Sequence, residues 1–274
     1  MRFARLALAD HGGEVVFARL EDPPQAGRQP EGHSGEAPPQ AGRATVWSHA
    51  PWSSGTATGR VVGFREADLL PPVAPSKILC IGRNYVAHAK EMGTDVPTEP
   101  LLFLKPPSAL ARHGGVVDLP PESARVEHEA ELGVVIGRVA RHVSRANAME
   151  HVFGYTCVCD VTARDLQRKD GQWTRAKGFD TFCPCGPWIE TDTDPRALRV
   201  RCIVNGVTKQ DGSTSQMVFD VATLIEYASR AMTLEPGDLL VTGTPDGTGP
   251  IVAGDTVSVD IESIGTLTVT CRAR

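Results

Sequence analysis

Short runs of alternating or continuously apolar residues recur along this chain, and they predict strands more often than helices. Arg2 to Leu8 and Glu14 to Leu20 form a predicted hairpin, with Asp10 to Gly13 as its turn. Val200 to Lys209 has Asn205-Gly206 between apolar residues, which predicts a second hairpin. Further strands are predicted at Gly59 to Phe64, Lys77 to Gly82, Leu101 to Leu104, Gly133 to Gly137, Val152 to Asp160, Asp238 to Thr242, Thr256 to Ile261 and Leu267 to Cys271.

Helical periodicity is limited to three segments, which are Tyr85 to Met92, Ser144 to His151 and Asp220 to Met232. In the last of these the apolar residues form one stripe, which is typical of packing against a core. Helices and strands do not alternate regularly, so a doubly wound fold is not indicated. The pattern predicts an α+β, mostly β fold built around mixed sheets with few flanking helices.

Composition divides the chain into two parts. The run Leu70-Pro71-Pro72-Val73-Ala74-Pro75 is typical of a linker, so we predict a small β-rich N-terminal domain over residues 1–75 and a larger domain over residues 76–274. Within the first part, residues 23–43 are rich in Pro, Gly, Gln and Glu, and Pro-Pro-Gln-Ala-Gly-Arg occurs there twice. This segment is predicted to be a duplicated low-complexity insertion that forms a mobile loop.

Charge and hydropathy exclude several classes of partner. The net charge of the 274 residues is -5, and no dense cluster of Lys and Arg is present, so we expect no nucleic-acid partner. No apolar run approaches the length of a membrane span, and Asp10 ends the first apolar stretch too early for a signal peptide. We therefore expect no membrane association.

Cysteine usage indicates a reducing, cytoplasmic setting. The chain has 7 cysteines, an odd number, and is long enough to fold without disulfides. Two Cys-x-Cys pairs, Cys157/Cys159 and Cys183/Cys185, leave zinc as an alternative. Structural zinc sites usually space their cysteines more widely, so these pairs favour small buried side chains.

Three glutamates, Glu127, Glu129 and Glu131, occupy alternate positions just before the apolar run Leu132 to Ile136. On a strand, alternation directs all three carboxylates to one face. Taken alone, the pattern is typical of the solvated face of an edge strand. The apolar run instead favours a strand buried on both faces, so the carboxylates would enter the interior. Like charges placed there need a compensating cation, and Mg²⁺ or Mn²⁺ suits oxygen ligands.

Other segments carry candidate catalytic chemistry. His88 and Glu91 are three residues apart on a predicted helix, and a carboxylate beside an imidazole can assemble a general base. An exposed surface pair is the ordinary alternative. Asp160, at a predicted strand end, could complete the metal site, and Arg164 could bind a substrate carboxylate. Lys177 lies among aromatic residues and could face an oxyanion, although a snorkelling surface lysine is the simpler interpretation.

The glycine-rich turn Leu240 to Pro250 fits neither Gly-x-Gly-x-x-Gly nor a P-loop, and Pro250 stands where a phosphate-binding helix would begin. Nucleotide binding is therefore not indicated. Thr244 and nearby backbone N–H groups could still hold a small carboxylate.

Together these segments resemble the fumarylacetoacetate hydrolase family over roughly residues 70–273. Within that family the chain looks most like the acylpyruvase and oxaloacetate decarboxylase branch. The motifs that carry the resemblance are Ile81-Gly82-Arg83-Asn84-Tyr85 with His88 and Glu91, Pro100 to Pro106, Glu129-x-Glu131, Asp160 to Gln167, Trp173 to Lys177 and Thr242-Gly243-Thr244-Pro245.

The resemblance implies a mixed β-sandwich or β-roll, usually a homodimer, with one Mg²⁺ or Mn²⁺ per subunit. Glu129, Glu131 and Asp160 match the metal ligands of the family. Glu127 falls outside the motif, so we expect it at the rim of the site, solvated or beside the ligands. Cys159 stands where many relatives have Asn, which bears on substrate preference more than on metal binding.

The resemblance also assigns catalytic and substrate-binding residues. His88 and Glu91 match a dyad on a lid that orders over the substrate, and Lys177 matches a lysine near the metal-bound oxygens. Thr248 replaces a common Val in the glycine-rich turn. Candidate substrate-binding residues are Arg83, Tyr85, Arg164, Gln167 and Thr244.

The expected substrate is a small 2-oxo acid, whose carboxylate and keto oxygen can chelate a metal. The metal and Lys177 would stabilise a pyruvate enolate as a C–C bond breaks, in acylpyruvate hydrolysis or oxaloacetate decarboxylation. In hydrolysis, His88 oriented by Glu91 would deprotonate the attacking water. Two alternatives stay open: an isomerase or decarboxylase of 2-hydroxy-diene or 2-oxo-ene dioates from aromatic degradation, and a non-catalytic metal-binding module.

Overall fold

The computed structural model describes residues 1–21 and 42–274. Strands β1 to β10 are Arg2–Leu8, Glu14–Leu20, Gly42–Trp47, Ala57–Phe64, Leu69–Leu70, Ile78–Gly82, Leu101–Lys105, Leu110–Ala111, Val116–Leu119 and Val126–His128. Strands β11 to β20 are Ala130–Ile136, Val152–Cys159, Thr162–Ala163, Cys183–Glu190, Arg199–Val204, Val207–Ser213, Leu239–Val241, Gly249–Pro250, Thr256–Ile261 and Gly265–Ala273. Helices α1 to α4 are Val86–Glu91, Arg164–Asp170, Thr174–Lys177 and Val221–Ala231. The predicted mostly β, α+β class is confirmed.

The largest sheet has 12 strands, in the order β4-β3-β2-β1-β14-β12-β11-β17-β6-β7, with β5 beside β1 and β8 beside β14. The N-terminal strands join it through β1, whose Arg2 lies opposite Glu190 of β14. Near the other end, β11 pairs with both β12 and β17. All seven residues of β11 are buried, so the strand predicted to be buried on both faces is confirmed.

Two smaller sheets pack beside the large one. Five strands form the order β16-β15-β19-β20-β9, and three short strands form β13-β10-β18. The main core lies between the five-stranded sheet and the β11–β12 part of the large sheet, where Leu132, Cys157, Val200, Val259 and Leu267 are all buried. Residues of α4 pack into the same core. The segment Glu127 to Glu131 lies at the edge of this core, where the chain passes from β10 in the three-stranded sheet to β11 in the large sheet.

Several local predictions are confirmed. Asn205 and Gly206 have φ of 50° and 78°, the left-handed values that a two-residue hairpin between β15 and β16 requires. Helix α4 begins where expected, because the Asp220 carboxylate accepts a hydrogen bond from the Thr223 N–H and caps the helix. The predicted helix at Tyr85 to Met92 is α1 with one flanking residue at each end.

One predicted helix is wrong over most of its length. Within Ser144 to His151, only Ala148–His151 forms a helical turn, and it is a 3₁₀ turn. The backbone bonds there run from residue i+3 to residue i, as from Asn147 N–H to Ser144 O. A segment of this length between two strands gains too few α-helical bonds to repay nucleation, so it tightens into turns.

Other elements were not anticipated from the sequence. These are β3, β9, β14, α2, α3 and the two-residue strands β5, β8, β13 and β18. Strand β14 contains two prolines, which lower strand propensity, and Pro187 lies where the pairing of β12 with β14 shifts register. The predicted insertion at 23–43 lies outside the described residues except for Gly42 and Arg43, which begin β3 and not a loop.

The seven cysteines are free and buried, as small core side chains are, and none belongs to the metal-compatible cluster found in the described ranges. The same ranges contain no helix long and apolar enough to cross a membrane, since the longest, α4, has 11 residues.

Candidate active site

The segment that carries the three glutamates, from Val126 in β10 to Ile136 in β11, is the ligand strand, and it changes sheets at Glu129. Glu127 belongs to β10 in the three-stranded sheet, whereas Glu131 belongs to β11 in the large sheet, and Glu129 lies between the two strands. The three glutamates are only 3%, 4% and 2% exposed. The solvated edge-strand interpretation is therefore wrong, and it is wrong for Glu127 as well. The carboxylates are held inside the protein.

Glu129, Glu131 and Asp160 form a buried acidic cluster. One carboxylate oxygen of each lies within 4.8 Å of those of the other two. Asp160 directly follows β12, and its backbone N–H donates to the Glu129 carbonyl at 2.9 Å. Because Ala130 pairs with Cys159 across the β11–β12 ladder, the ligand on one strand faces the ligands on the other. Three hard oxygen donors at this spacing could hold a divalent metal.

Lysines balance two of these carboxylates. Lys177 Nζ donates to Glu129 Oε2 at 2.8 Å and to Asp160 Oδ2 at 2.6 Å, while Lys105 Nζ donates to Asp160 Oδ1 at 2.5 Å. Burial alone would raise the pKa of Glu129, but Lys177 and Arg164 more than offset it, so the pKa is well below its ordinary value. Burial alone would lower the pKa of Lys177, but Asp160 and Glu129 raise it, so the side chain stays an ammonium.

Of the three carboxylates in the cluster, Glu131 has the fewest positive charges and hydrogen-bond donors to balance its negative charge. Among the described residues, its carboxylate accepts one hydrogen bond, from the Gly243 N–H at 2.5 Å, and no side-chain cation lies within ion-pair distance. Burial, followed by the charges of Asp160 and Glu129, raises its pKa well above the ordinary value. A divalent cation at the cluster would relieve this repulsion. The donor set and its uneven compensation thus fit Mg²⁺ or Mn²⁺.

Arg164 ties the cluster to Glu127. At the start of α2 its guanidinium donates to Glu127 Oε2 at 2.6 Å, to Glu129 Oε1 at 2.5 Å and to Gln167 Oε1 at 2.6 Å. Burial alone would raise the pKa of Glu127, but Arg164 and Arg125 lower it. Glu127 is therefore a buried carboxylate that positions Arg164; of the two positions expected for it, the one beside the ligands is observed and the solvated one is wrong.

His88 and Glu91 lie on α1, which closes one side of the site. His88 is 5% exposed, and its Nδ1 lies 3.2 Å from Glu91 Oε2, so the exposed-pair alternative is wrong for the imidazole. The Glu91 carboxylate, 35% exposed, also accepts the Gly247 N–H at 3.1 Å. Thr248 Oγ1 lies 3.5 Å from Glu91 Oε2. The glycine-rich turn thus holds the carboxylate that orients His88.

A cavity of about 310 Å³ opens onto these groups. Eight of the residues singled out from the sequence contribute to its wall: Arg83, His88, Glu129, Glu131, Arg164, Gln167, Lys177 and Thr244. Tyr85 lies outside the wall, and its buried hydroxyl has no hydrogen-bond partner among the described residues. Burial and then the charge of Glu131 raise the pKa of Tyr85.

The hydroxyl group of Thr244 is held by hydrogen bonds within the protein. Its Oγ1 donates to the Ala130 carbonyl at 2.8 Å and accepts from Gln210 Nε2 at 2.8 Å. Gln210 Oε1 in turn accepts the Ala130 N–H at 2.9 Å. Ala130 lies between two of the cluster carboxylates, so this buried network fixes the ligand strand against the glycine-rich turn.

Sequence reasoning missed Lys105 and Gln210. The position of Lys105 could have indicated its role, because a lysine directly after the apolar run Leu101 to Leu104 is expected to be buried and then needs a buried partner. The position of Gln210 could not, since a glutamine on a predicted hairpin strand is usually exposed.

Comparison with known proteins identifies the family. Residues 77–272 match the sequence model described as "Fumarylacetoacetate (FAA) hydrolase C-terminal", and residues 1–72 match the one described as "Rv2993c-like, N-terminal". The chain belongs to the fumarylacetoacetate hydrolase family. The resemblance found in the sequence is confirmed.

Three similar members of the fumarylacetoacetate hydrolase family have names that point to different reactions. Dictyostelium discoideum mitochondrial oxaloacetate decarboxylase is 46% identical over 69% of this chain and 90% of its own. The structure of Mycobacterium smegmatis 5-carboxymethyl-2-hydroxymuconate delta-isomerase has a TM-score of 0.86 and 42% identity, covering 100% of both chains. Fumarylpyruvate hydrolase from Pseudomonas aeruginosa, solved with Mn²⁺ and pyruvate, has a TM-score of 0.69 and 33% identity over 76% of this chain and 92% of its own.

Proposed function

We propose that this protein is a Mg²⁺- or Mn²⁺-dependent enzyme that cleaves a C–C bond in a small 2-oxo acid. The reaction is acylpyruvate hydrolysis, oxaloacetate decarboxylation or both, and it passes through the enolate of pyruvate. The observation that carries the proposal is the buried cluster of Glu129, Glu131 and Asp160 at a cavity that also exposes His88 and Lys177. The named activities of the decarboxylase and hydrolase relatives support it.

The residues around the cavity divide the work. A Mg²⁺ or Mn²⁺ ion held by Glu129, Glu131 and Asp160 would bind the substrate carboxylate and 2-oxo oxygen and stabilise the charge that develops there. Lys177, fixed by two of these carboxylates, places an ammonium at the same end of the cavity. The side-chain amide of Gln167 is oriented by Arg164 and lies in the wall, where it can donate to a substrate oxygen.

His88 acts only in the hydrolytic reaction. Because Glu91 accepts the hydrogen bond at Nδ1, the proton of a neutral imidazole lies on Nδ1 and Nε2 keeps a lone pair. Nε2 takes a proton from the water that attacks the distal carbonyl; the C–C bond then breaks, giving a carboxylic acid and the pyruvate enolate. In decarboxylation the bond to the departing carboxylate breaks without added water, releasing CO₂. In both reactions a proton on C3 of the enolate completes pyruvate.

A turnover assay across fumarylpyruvate, acetylpyruvate and oxaloacetate, with Mg²⁺ or Mn²⁺ and with chelator, tests the proposal. We expect metal-dependent pyruvate release from at least one substrate and its loss in Glu129→Ala. His88→Asn should reduce acylpyruvate hydrolysis at least 100-fold, the scale of general base catalysis, and spare oxaloacetate decarboxylation. Absence of pyruvate release from all three substrates with either metal would contradict the proposal.

The second candidate is an isomerase or decarboxylase of 2-hydroxy-diene or 2-oxo-ene dioates. Its support is the isomerase from Mycobacterium smegmatis, which covers the whole chain at 42% identity. Isomerisation needs the same chelating end and only proton transfers, so the same cavity serves it. Product analysis separates the two candidates: isomerisation of a dioate releases neither pyruvate nor CO₂, and decarboxylation of a dioate releases CO₂ without pyruvate.

A non-catalytic metal-binding module is the least supported hypothesis. Such a module needs neither a cavity beside its metal nor an oriented imidazole, and this site has both. A homodimer, implied by the family resemblance, is part of our proposal and is tested by light scattering of the metal-loaded protein.

A further inference from the structure

Arg83 is a cation in the cavity wall without an anionic partner. Its side chain is half-buried and lines the cavity, yet no described carboxylate lies within the 4.0 Å of an ion pair. The guanidinium carbon lies 5.9 Å from the centroid of the Trp173 ring. Two other cations in the wall do have anionic partners: Arg164 and Lys177 are each paired with two carboxylates.

The backbone holds Arg83 in an uncommon conformation. Its φ is 58°, in the left-handed region that residues with a side chain rarely adopt. The next residue, Asn84, is fully buried and fixes the turn: its Nδ2 donates to the Thr242 and Phe219 carbonyls at 2.7 and 3.0 Å, and its Oδ1 accepts the Phe219 N–H at 2.8 Å. A strained residue held by its surroundings at a site wall points to a function for its side chain.

Two aromatic rings in the cavity wall connect Arg83 with Lys177. Trp173 packs edge-on against Phe103, with ring centroids 5.2 Å apart, and Lys177 Nζ lies 5.0 Å from the Phe103 centroid. Gly82 makes room for this stack, since a Cβ there would lie 2.7 Å from the Trp173 ring. Along this wall the contacts lead from Lys177, which is paired with the cluster carboxylates, across two rings to Arg83, which has no ion-pair partner among the described residues.

A second cation, Arg168, lines the same cavity from the exposed side of α2 and has no ion-pair partner in the part of the chain that the structure describes. The cavity thus has two carboxylates of the acidic cluster, Glu129 and Glu131, in its wall and two guanidinium groups without an ion-pair partner among the described residues. A guanidinium binds a carboxylate through paired charge-assisted hydrogen bonds.

We propose that Arg83, assisted by Arg168, forms a subsite for a second carboxylate, so that this enzyme selects dicarboxylic over monocarboxylic 2-oxo acids. The inference rests on the proposed function, because it takes the 2-oxo acid end of the ligand to lie at the acidic cluster. The intervening chain of the ligand lies along Trp173 and Phe103, a surface that suits a short, flat carbon chain. Specificity then comes from a cation that a neutral or apolar terminus would leave unpaired.

Binding of matched, non-cleaved ligands to the Mn²⁺-loaded full chain tests the subsite by isothermal titration calorimetry. The pairs are 2-oxoglutarate with 2-oxopentanoate and 2-oxoadipate with 2-oxohexanoate, in which a terminal carboxylate replaces a methyl group. The wild-type protein should prefer the dicarboxylate of at least one pair by about tenfold, the worth of one charge-assisted interaction. Arg83→Met should reduce that ratio to within about twofold and leave monocarboxylate affinity unchanged. Arg83→Lys should retain part of it.

Lys169→Met is the matched control, because Lys169 is an exposed cation next to Arg168 that does not line the cavity. It should keep the wild-type ratio, whereas Arg168→Met should lower it. If the wild-type protein binds both members of each pair equally, or if Arg83→Met weakens both members to the same extent, the subsite is refuted while the proposed function stands. If no 2-oxo acid binds the loaded protein, the proposed function fails and the subsite fails with it.

Discussion

Lys105 Nζ lies 2.5 Å from Asp160 Oδ1, and both side chains are buried. The same ammonium donates to the Val161 carbonyl at 3.1 Å, so its position is set by the backbone as well as by the carboxylate. The other oxygen of Asp160 accepts from Lys177. Asp160 is therefore held from two sides, and Lys105 fixes the rotamer that brings it to the two glutamates.

Replacing Lys105 should weaken the metal site without touching a ligand. In Lys105→Met the side chain at position 105 stays similar in length, but Asp160 loses a buried partner. This loss should cost about 3 kcal/mol of folding free energy. The freed carboxylate should also bind Mn²⁺ at least tenfold more weakly, the scale of effects seen when groups that orient a ligand are removed. Calorimetric titration with Mn²⁺ and urea unfolding measure the two effects. Lys169→Met serves as the control, and equal Mn²⁺ affinity in Lys105→Met and wild type would refute the role assigned to Lys105.

Glu131 and Glu127 should respond in opposite ways to the same change. Burial and neighbouring carboxylates disfavour the charge of Glu131, so Glu131→Gln should stabilise the metal-free protein by about 1 kcal/mol. Two arginines favour the charge of Glu127, so Glu127→Gln should destabilise it by about 2 kcal/mol.

Thermal unfolding with chelator and with Mn²⁺ makes the contrast visible. Glu131→Gln should also lose the stabilisation that added Mn²⁺ gives the wild-type protein, because a ligand is missing. Glu127→Gln should retain most of it. A Glu131→Gln protein less stable than wild type in chelator would show that the carboxylate is better compensated than its contacts indicate.

Gln210 should matter for stability although it belongs to the neighbouring sheet. Its amide serves four groups: it accepts the Ala130 N–H, lies 3.2 Å from His128 Nδ1 and donates to Thr244 Oγ1 and the Pro245 carbonyl. Gln210→Met keeps the volume but leaves buried backbone groups unpaired, at a cost of about 2 to 4 kcal/mol. Gln172→Met, at an exposed position, should change stability by less than about 0.5 kcal/mol in the same urea titration. A loss below about 1 kcal/mol for Gln210→Met would mean that water replaces the amide.

The sequence predicted those features of the site that depend on local pattern. Alternating glutamates before a run of apolar residues predicted the buried ligand strand, and a strand end predicted the place of Asp160, because side-chain direction follows backbone periodicity. The helix that carries His88 and Glu91 was predicted for the same reason. Local pattern also gave the hairpin at Asn205-Gly206.

Contacts between distant segments could not be predicted in this way. Lys105 is 55 residues from Asp160, and Gln210 is 80 residues from Ala130, so no spacing rule joins them. Strand β14 was missed because its prolines lower strand propensity, and the neighbouring strands override that preference. The burial of Glu127 depends on Arg164, which lies on the short helix α2 that the pattern did not reveal.

The contact between Glu190 and the N-terminal strand should make stability depend on pH. The Glu190 carboxylate accepts from the Met1 amino group at 2.7 Å, from Arg2 Nε at 3.1 Å and from the Asp192 N–H at 2.9 Å. Burial alone would raise the pKa of Glu190, but these hydrogen bonds, with the charge of the amino group, lower it below its ordinary value. A carboxyl group with a lowered pKa in the folded state stabilises the protein above its unfolded pKa of about 4.3 and loses that contribution as pH falls through the folded value.

Glu190→Gln should therefore cost about 1 kcal/mol at pH 7, a value kept small because the Met1 and Arg2 partners are partly exposed. The difference from wild type should shrink as the pH is lowered from about 5 towards 2, because protonation of the wild-type carboxyl group removes the charge that its partners stabilise. Urea unfolding of both proteins between these pH values measures it. Glu150→Gln, an exposed carboxylate without a partner in the described ranges, should show no such pH dependence. A Glu190→Gln deficit that stays constant down to pH 2 would mean that β1 depends on the shape of this side chain and not on its charge.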